Sequence, residues 1–189
     1  MPLDSRSLRS LRFHGYGPPA DVLRLDTLEA APRPGPGQIR VAVHACGLNP
    51  ADWALCGGLF ADTLPRGIGL EVSGVVDALG EGVHDVEVGA RVFGPTYWKG
   101  PTAGASDRAL LTHWAAVPTG VDLLQAAALP LVSETAWRSL DDLEVKAGQT
   151  VLINGAGTMV GYAAVQLALA RDARVIATAG PTYAEALRA

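Results

Sequence analysis

Cysteine is scarce in this chain: Cys46 and Cys56 are the two present in 189 residues. That excludes a disulfide framework, and it excludes a closely spaced thiolate cluster for structural zinc. Lys and Arg never form a run, and they are outnumbered, 15 against 19 acidic residues, for a formal charge of -4. Nucleic acid and anionic membrane surfaces are therefore not the expected partners, because both are met by clustered cations. The opening residues are polar and no signal-type apolar stretch follows them, so the expected compartment is a reducing cytoplasm. No internal repeat or low-complexity tract occurs. Long apolar runs are also missing, with one candidate at 151–170. There Asn154, Gln166 and the glycines at 155, 157 and 161 divide the run into a strand, a turn and a helix, which excludes a membrane span.

What is present is apolar material for a core, 49% hydrophobic against 18% charged residues, punctuated by 22 glycines and 13 prolines. From residue 7 to about 118, short β-rich runs at 39–45, 71–79, 90–93 and 108–111 alternate with turns at 32–37, 80–82 and 100–104. This pattern predicts a small β-barrel or sandwich. Beyond Pro118 the pattern changes. Asp122 with Gln125 three residues later has the form of a capping box, and 126–143 carries helix formers interrupted at Pro130.

The segment 150–154 predicts a strand, 155–161 a glycine turn, the residues through Arg171 a helix, and 173–179 a second strand. Strand, turn, helix and strand within about 30 residues is the unit that opens a dinucleotide-binding fold. Residues 183–189 read as the start of a further helix. In the turn, Gly155 and Gly157 suit a tight bend, Gly161 suits close packing of helix on strand, and a phosphate can rest on N–H groups at the helix start. The spacing is GxGxxxG rather than GxGxxG, with Thr158, Met159 and Val160 completing the turn.

Longer stretches carry a resemblance. Residues 41–52 (VAVHACGLNPAD), 69–76 (GLEVSGVV) and 88–92, then 129–140 (LPLVSETAWRSL), 145–157 and 164–168, resemble the medium-chain dehydrogenase/reductase superfamily in its quinone and enone reductase branch. The resemblance implies a fold of class α/β plus β. A GroES-like catalytic β-barrel domain at 1–120 is followed, at 121–189, by connecting helices and the first βαβ part of a Rossmann-type nucleotide-binding domain. It implies hydride transfer from NADP(H) to a quinone, enone or related carbonyl compound. Asn49, Asp52 and Thr135 should border the nicotinamide, and Gly155, Gly157, Thr158, Met159, Val160, Gly161 and Thr178 should hold the cofactor. Thr158 stands where the family has a glycine: its hydroxyl is available to bond a phosphate, while its Cβ opposes close approach.

Each of these residues also has a structural reading. Asn49 before Pro50 starts a turn, Asp52 caps a short helix, Thr135 bonds its own helix backbone, and Glu71 reads as structural. Trp53, Tyr97, Trp98 and Trp137 are acceptor-pocket candidates or ordinary packing groups. Where the family's zinc-dependent members have a Cys and a His, the matching positions are Asn49 and Leu70. The histidines at 14, 44, 84 and 113 show no ligand spacing, so no metal is expected. An acidic residue about 20 residues beyond the glycines would hold the ribose of NAD. Ala179 and Gly180 occupy that place, which favours NADPH over NADH. No Arg or Lys lies between Arg174 and Arg188, so Thr178, Thr182 and Tyr183 are the neutral donors on offer.

Family members add further nucleotide-domain strands, whereas this sequence stops after two. A fragment, a split gene product and a natural truncation are all compatible with that. Two functional classes follow: an NADP(H)-dependent reductase, as a homo-oligomer or completed by a complementing polypeptide that supplies the missing strands, and a truncated relative used for binding, assembly or non-redox chemistry. The partner in the first class is a small-molecule substrate.

Overall fold

The computed structural model describes residues 7–187. The chain forms two compact units, Met1–Pro130 and Leu131–Ala189.

In the first unit, strands β1 (Leu8–Phe13) and β2 (Leu23–Leu28) flank a short helix α1 (Pro19–Val22), and β3 (Ile39–Gly47) leads into helix α2 (Pro50–Cys56). Strands β4 (Arg66–Gly67), β5 (Glu71–Leu79), β6 (Arg91–Pro95), β7 (Arg108–Leu111) and β8 (Ala115–Ala116) follow, then helix α3 (Leu123–Ala126). A five-stranded sheet has the order β7-β3-β5-β6-β8, and a three-stranded one β2-β1-β4. Every pairing in them is antiparallel.

The β-branched residues of the larger sheet build its core: Ile39, Val41, Val72, Val76 and Val92 are buried together with Ala109 and Leu111. A second cluster of Phe13, Leu55, Cys56 and Ile68 packs α2 against β1 and β4. Strand β3 pairs with β5 from Ile39↔Leu79 to Gly47↔Glu71, with register shifts at Arg40/Val41 and Val43/Ala45. Such bulges bend and twist a strand. The resulting register brings Glu71 opposite Gly47, close to the start of α2.

The barrel expected from the sequence is not closed among the described residues. An isolated bridge, Thr96↔Leu111, joins the residue after β6 to the edge strand β7, beside a Tyr97 N–H to Leu110 carbonyl bond of 2.7 Å. The ladder goes no further because β8 takes the second edge of β6 at Val92 and Phe93. Strands β1, β2, β4 and β8 have no counterpart in the sequence reading. Inward positions of β1 are Ser10 and Arg12, whose polarity hides the alternation; Ser10 Oγ meets Ser106 Oγ at 2.6 Å, and Arg12 pairs with Asp26 of β2 at 3.1 Å. Strands β4 and β8 are too short to show any period.

The second unit holds nearly all of α4 (Pro130–Asp142), then β9 (Thr150–Asn154), α5 (Met159–Ala170) and β10 (Arg174–Thr178). The two strands are parallel, in register from Arg174↔Thr150 to Thr178↔Asn154. A parallel pair needs a crossover, and α5 supplies it. Leu140, Ile153, Ala156, Val165, Ala168 and Ala173 form the core. The expected capping box is present, Asp122 accepting from the Gln125 N–H at 2.7 Å. The helix expected from residue 183 is instead a 3-10 turn, Pro181–Tyr183, with hydrogen-bonded turns to Leu187. Pro181 and the preceding Gly180 favour a turn there over a regular helix. Residues 188 and 189 lie outside the described residues, and Arg188 with them. No described helix is long and apolar enough to cross a membrane.

Candidate functional site

Two groups of the expected residues are each drawn together within one unit. In the first unit, Asn49 is the N-cap of α2, and Asp52, one turn later, reaches back to it. The Asp52 carboxylate is 2% exposed and accepts from the Asn49 N–H at 2.7 Å and from the Gly69 N–H at 2.9 Å. It therefore ties the start of α2 to the segment before β5. Burial pushes the Asp52 pKa up, against backbone hydrogen bonds from Asn49, Gly69 and Leu70 that pull it down.

The Asn49 amide donates to Glu71 Oε1 at 2.7 Å. This pairing has no signal in the sequence, because the two residues are brought together only by the β3–β5 register. The Asn49 backbone carbonyl accepts from the Asp52 N–H at 2.9 Å, and the second amide hydrogen of Asn49 has no partner among the described residues. Cys46 lies nearby, and its thiol is pushed up to about 12 by burial first, then by the charges of Asp52 and Glu71. At neutral pH it is a protonated thiol, neither a nucleophile nor a ready metal ligand. Among the described residues no group of three His, Cys, Asp or Glu side chains is arranged to hold a metal ion.

In the second unit the glycine turn joins β9 to α5. Gly155 has φ +79°, a left-handed conformation that glycine adopts without steric cost. The N–H groups of Gly155 and Ala156 both donate to the Thr178 carbonyl, at 3.1 and 2.8 Å, fastening the turn to the end of β10. Thr178 Oγ1 adds a bond to Asn154 Oδ1 and accepts from the Gly155 N–H at 3.3 Å. A Cβ on Gly161 would strike the Gly155 carbonyl oxygen and lie 2.8 Å from Ala156 Cα, so the helix packs on the turn only with glycine there.

Thr158 is the N-cap of α5: its hydroxyl accepts from the Gly161 N–H at 3.0 Å and donates to the Gly155 carbonyl at 2.9 Å. The hydroxyl hydrogen is thus committed inside the turn, and Thr158 caps the helix instead of offering that hydrogen to a phosphate. The N–H groups of Gly157, Met159 and Val160 find no acceptor among the described residues. They are the orphan donors at the positive end of a helix dipole, an arrangement suited to an anion.

Thr135 lies on α4, where its Oγ1 donates to the Leu131 carbonyl at 2.7 Å, leaving the oxygen as an acceptor. Trp53 and Trp137 are exposed, at 55% and 53%. The Trp137 ring lies under the Arg171 guanidinium at 4.5 Å, and Trp98 lies 5.9 Å from Phe60 and 5.0 Å from Arg66. Arg66 is a further residue the sequence reading missed. It is buried between Phe13 and Trp98, with one hydrogen bond, 2.9 Å, to the Phe60 carbonyl.

Comparison with known proteins gives the family model of the alcohol dehydrogenase GroES-like domain, matching residues 35–120. The spectinabilin polyketide synthase system protein NorB of Streptomyces orinoci is 42% identical over 177 residues, 93% of this chain and 8% of that protein. Human quinone oxidoreductase is 34% identical over 185 residues, 95% of this chain and 55% of that one. The chain thus spans about half the length of the quinone oxidoreductases it matches, and a small part of the polyketide synthase protein. Among solved structures, CurK enoyl reductase superposes with a TM-score of 0.82 at 30% identity, covering 96% of this chain and 57% of that one. A mycobacterial protein complexed with NADPH gives 0.77 at 28% identity, covering 96% and 56%.

Proposed function

Since the chain belongs to the medium-chain dehydrogenase/reductase superfamily, matching the amino-terminal part of its quinone oxidoreductase-like members, we propose that it serves NADPH-dependent, zinc-independent reduction of a quinone or an enone. The observation that carries the cofactor half is the turn: unpaired N–H groups of Gly157, Met159 and Val160 at the head of α5, beside a glycine whose missing side chain permits close approach. This is the opening βαβ portion of a Rossmann-type domain, and the turn is where the cofactor's pyrophosphate rests. The NADPH bound in the mycobacterial relative supports the same assignment. No acidic side chain follows β10 at Ala179 and Gly180 to recognise an unphosphorylated ribose.

Reduced nicotinamide supplies the hydride. In a quinone or enone, conjugation carries the developing charge onto a carbonyl oxygen, and a proton from water completes the reduction. A neutral donor suffices to stabilise that oxygen. Asn49 fits this role: one amide hydrogen is anchored on Glu71 and the other is unpaired. Asp52 is a positioning residue, buried and bonded to the Asn49 backbone. Thr135, its hydrogen committed to Leu131, serves as an acceptor. The likeness to an enoyl reductase and to a polyketide synthase protein favours an α,β-unsaturated acyl group as the acceptor.

Leu152 and Ile176, register partners on the two-stranded sheet, are 64% and 57% exposed. This face awaits further strands or helices, supplied by continuing sequence or by a complementing polypeptide. The isolated chain is therefore a poor catalyst, since a 1 Å misplacement of reacting groups costs about 100-fold. Calorimetric titration with NADPH and NADH, on wild type and Gly157→Asp, tests the cofactor assignment. Binding should favour NADPH and vanish in the variant. Equal affinity in both proteins removes the turn from the site, and tighter NADH reverses the cofactor preference. Assays of quinone and enone reduction with and without a complementing segment test the rest; full turnover by the isolated chain refutes the need for completion.

A further inference from the structure

The space beside Gly157 is already filled. A Cβ built on Gly157 would lie 2.6, 2.9 and 3.2 Å from Tyr183 Cδ2, Cγ and Cε2, so the aromatic ring stands where a side chain would project. Gly155 has nothing comparable within 4 Å. Gly157 directly precedes Thr158, which stands where the family has a glycine, and its N–H is one of the orphan donors that face an anion at the head of α5. Accepting the cofactor assignment above, we propose that Tyr183 is a gate of the nucleotide site: its ring occupies the pyrophosphate space beside Gly157 in the free chain and must swing out before the cofactor docks.

The surroundings of Tyr183 suit a movable group. It ends the 3-10 turn, its N–H bonds the Gly180 carbonyl at 3.0 Å, and its side chain is half-exposed, at 51%. Rotation toward water therefore forfeits little burial. A Cβ built on Gly180 would meet nothing within 4 Å, so no neighbour packs against that side of the bend before the ring. The Leu187 N–H bonds the Tyr183 carbonyl at 3.1 Å and the Leu187 side chain packs on the core of this unit, so the segment stays anchored while the ring moves. The orphan N–H groups of Gly157, Met159 and Val160 give an anion reason to displace the ring. Binding then carries the cost of opening, and apparent affinity falls by the fraction of molecules already open.

The test uses the whole chain, labelled with 13C and 15N. In the free protein the Tyr183 ring protons should show a nuclear Overhauser contact with the Gly157 Hα protons, and Tyr183→Phe should retain it. Saturation with NADPH should abolish it. Calorimetry should find Tyr183→Ala binding NADPH and NADH about three- to ten-fold more tightly than wild type. A missing contact in the free chain, a contact that survives with nucleotide on the turn, or equal or weaker binding by Tyr183→Ala each overturns the gate. If NADPH shifts no amide resonance from residues 155–161 in either protein, the nucleotide assignment itself falls and the gate with it. Shifted amides with unchanged affinity in Tyr183→Ala remove the gate alone.

Discussion

Replacing Asp52 by Ala removes a buried acceptor from two backbone donors at once, the N–H groups of Asn49 and Gly69. Each N–H left unpaired in a buried setting costs about 1–3 kcal/mol. Some relaxation is expected, so a combined loss of about 2–4 kcal/mol at neutral pH is reasonable. For a chain of this size that lowers Tm by roughly 5–15 °C. Asp52→Asn keeps one oxygen and should lose less.

The pH dependence has a definite sign. Burial raises the Asp52 pKa, so the native state holds this proton more tightly than the unfolded chain does. The contribution of Asp52 is full below the ordinary carboxylate value, about 3.9, and declines as pH rises through the raised native value. Alanine does not titrate, so the deficit of Asp52→Ala should narrow as pH rises from acid toward neutrality. Urea unfolding at a series of pH values measures this directly. A variant within 0.5 kcal/mol of wild type, or a deficit that widens with pH, refutes the clamp.

Gly161→Ala drives a methyl group into the Gly155 carbonyl and should destabilise the second unit by about 1–3 kcal/mol, read by hydrogen exchange in α5; an unchanged exchange rate contradicts the packing described. Thr158→Ala removes the N-cap and should cost about 1 kcal/mol in the same measurement, with no change arguing against the capping role. Cys46 should alkylate with iodoacetamide at pH 8 more than 100-fold slower than a free thiol, since its thiolate is rare below about pH 12; a rate near that of a free thiol would place it in a different environment. Elemental analysis of the purified chain should find no stoichiometric zinc, and a metal at one per chain, lost only with folding, would overturn the metal-free assignment.

The sequence by itself determined the elements whose cues are local. Thr150–Asn154 and Arg174–Thr178 have apolar, β-rich composition, and the glycines between them permit one sharp turn, so the strand–helix–strand unit was legible without any tertiary information. The capping pair Asp122 and Gln125 was legible for the same reason, because its partners lie three residues apart. The family resemblance named Asn49, Asp52 and Thr135 as site residues. It was the structure that distinguished what each does: Asp52 closes a backbone clamp on Gly69, Asn49 leans on Glu71, and Thr135 bonds its own helix. These partners are 17 and 22 residues apart in the first two cases, and a bulged β3–β5 register brings them together. Strand β1 was hidden because Ser10 and Arg12 face inward and find partners across the fold, cancelling the apolar alternation that a strand normally displays. The ring of Tyr183 over Gly157 is likewise a tertiary result. Residue order brings the two to opposite ends of a crossover, and only the parallel pairing of β9 with β10 returns the chain to the turn it left.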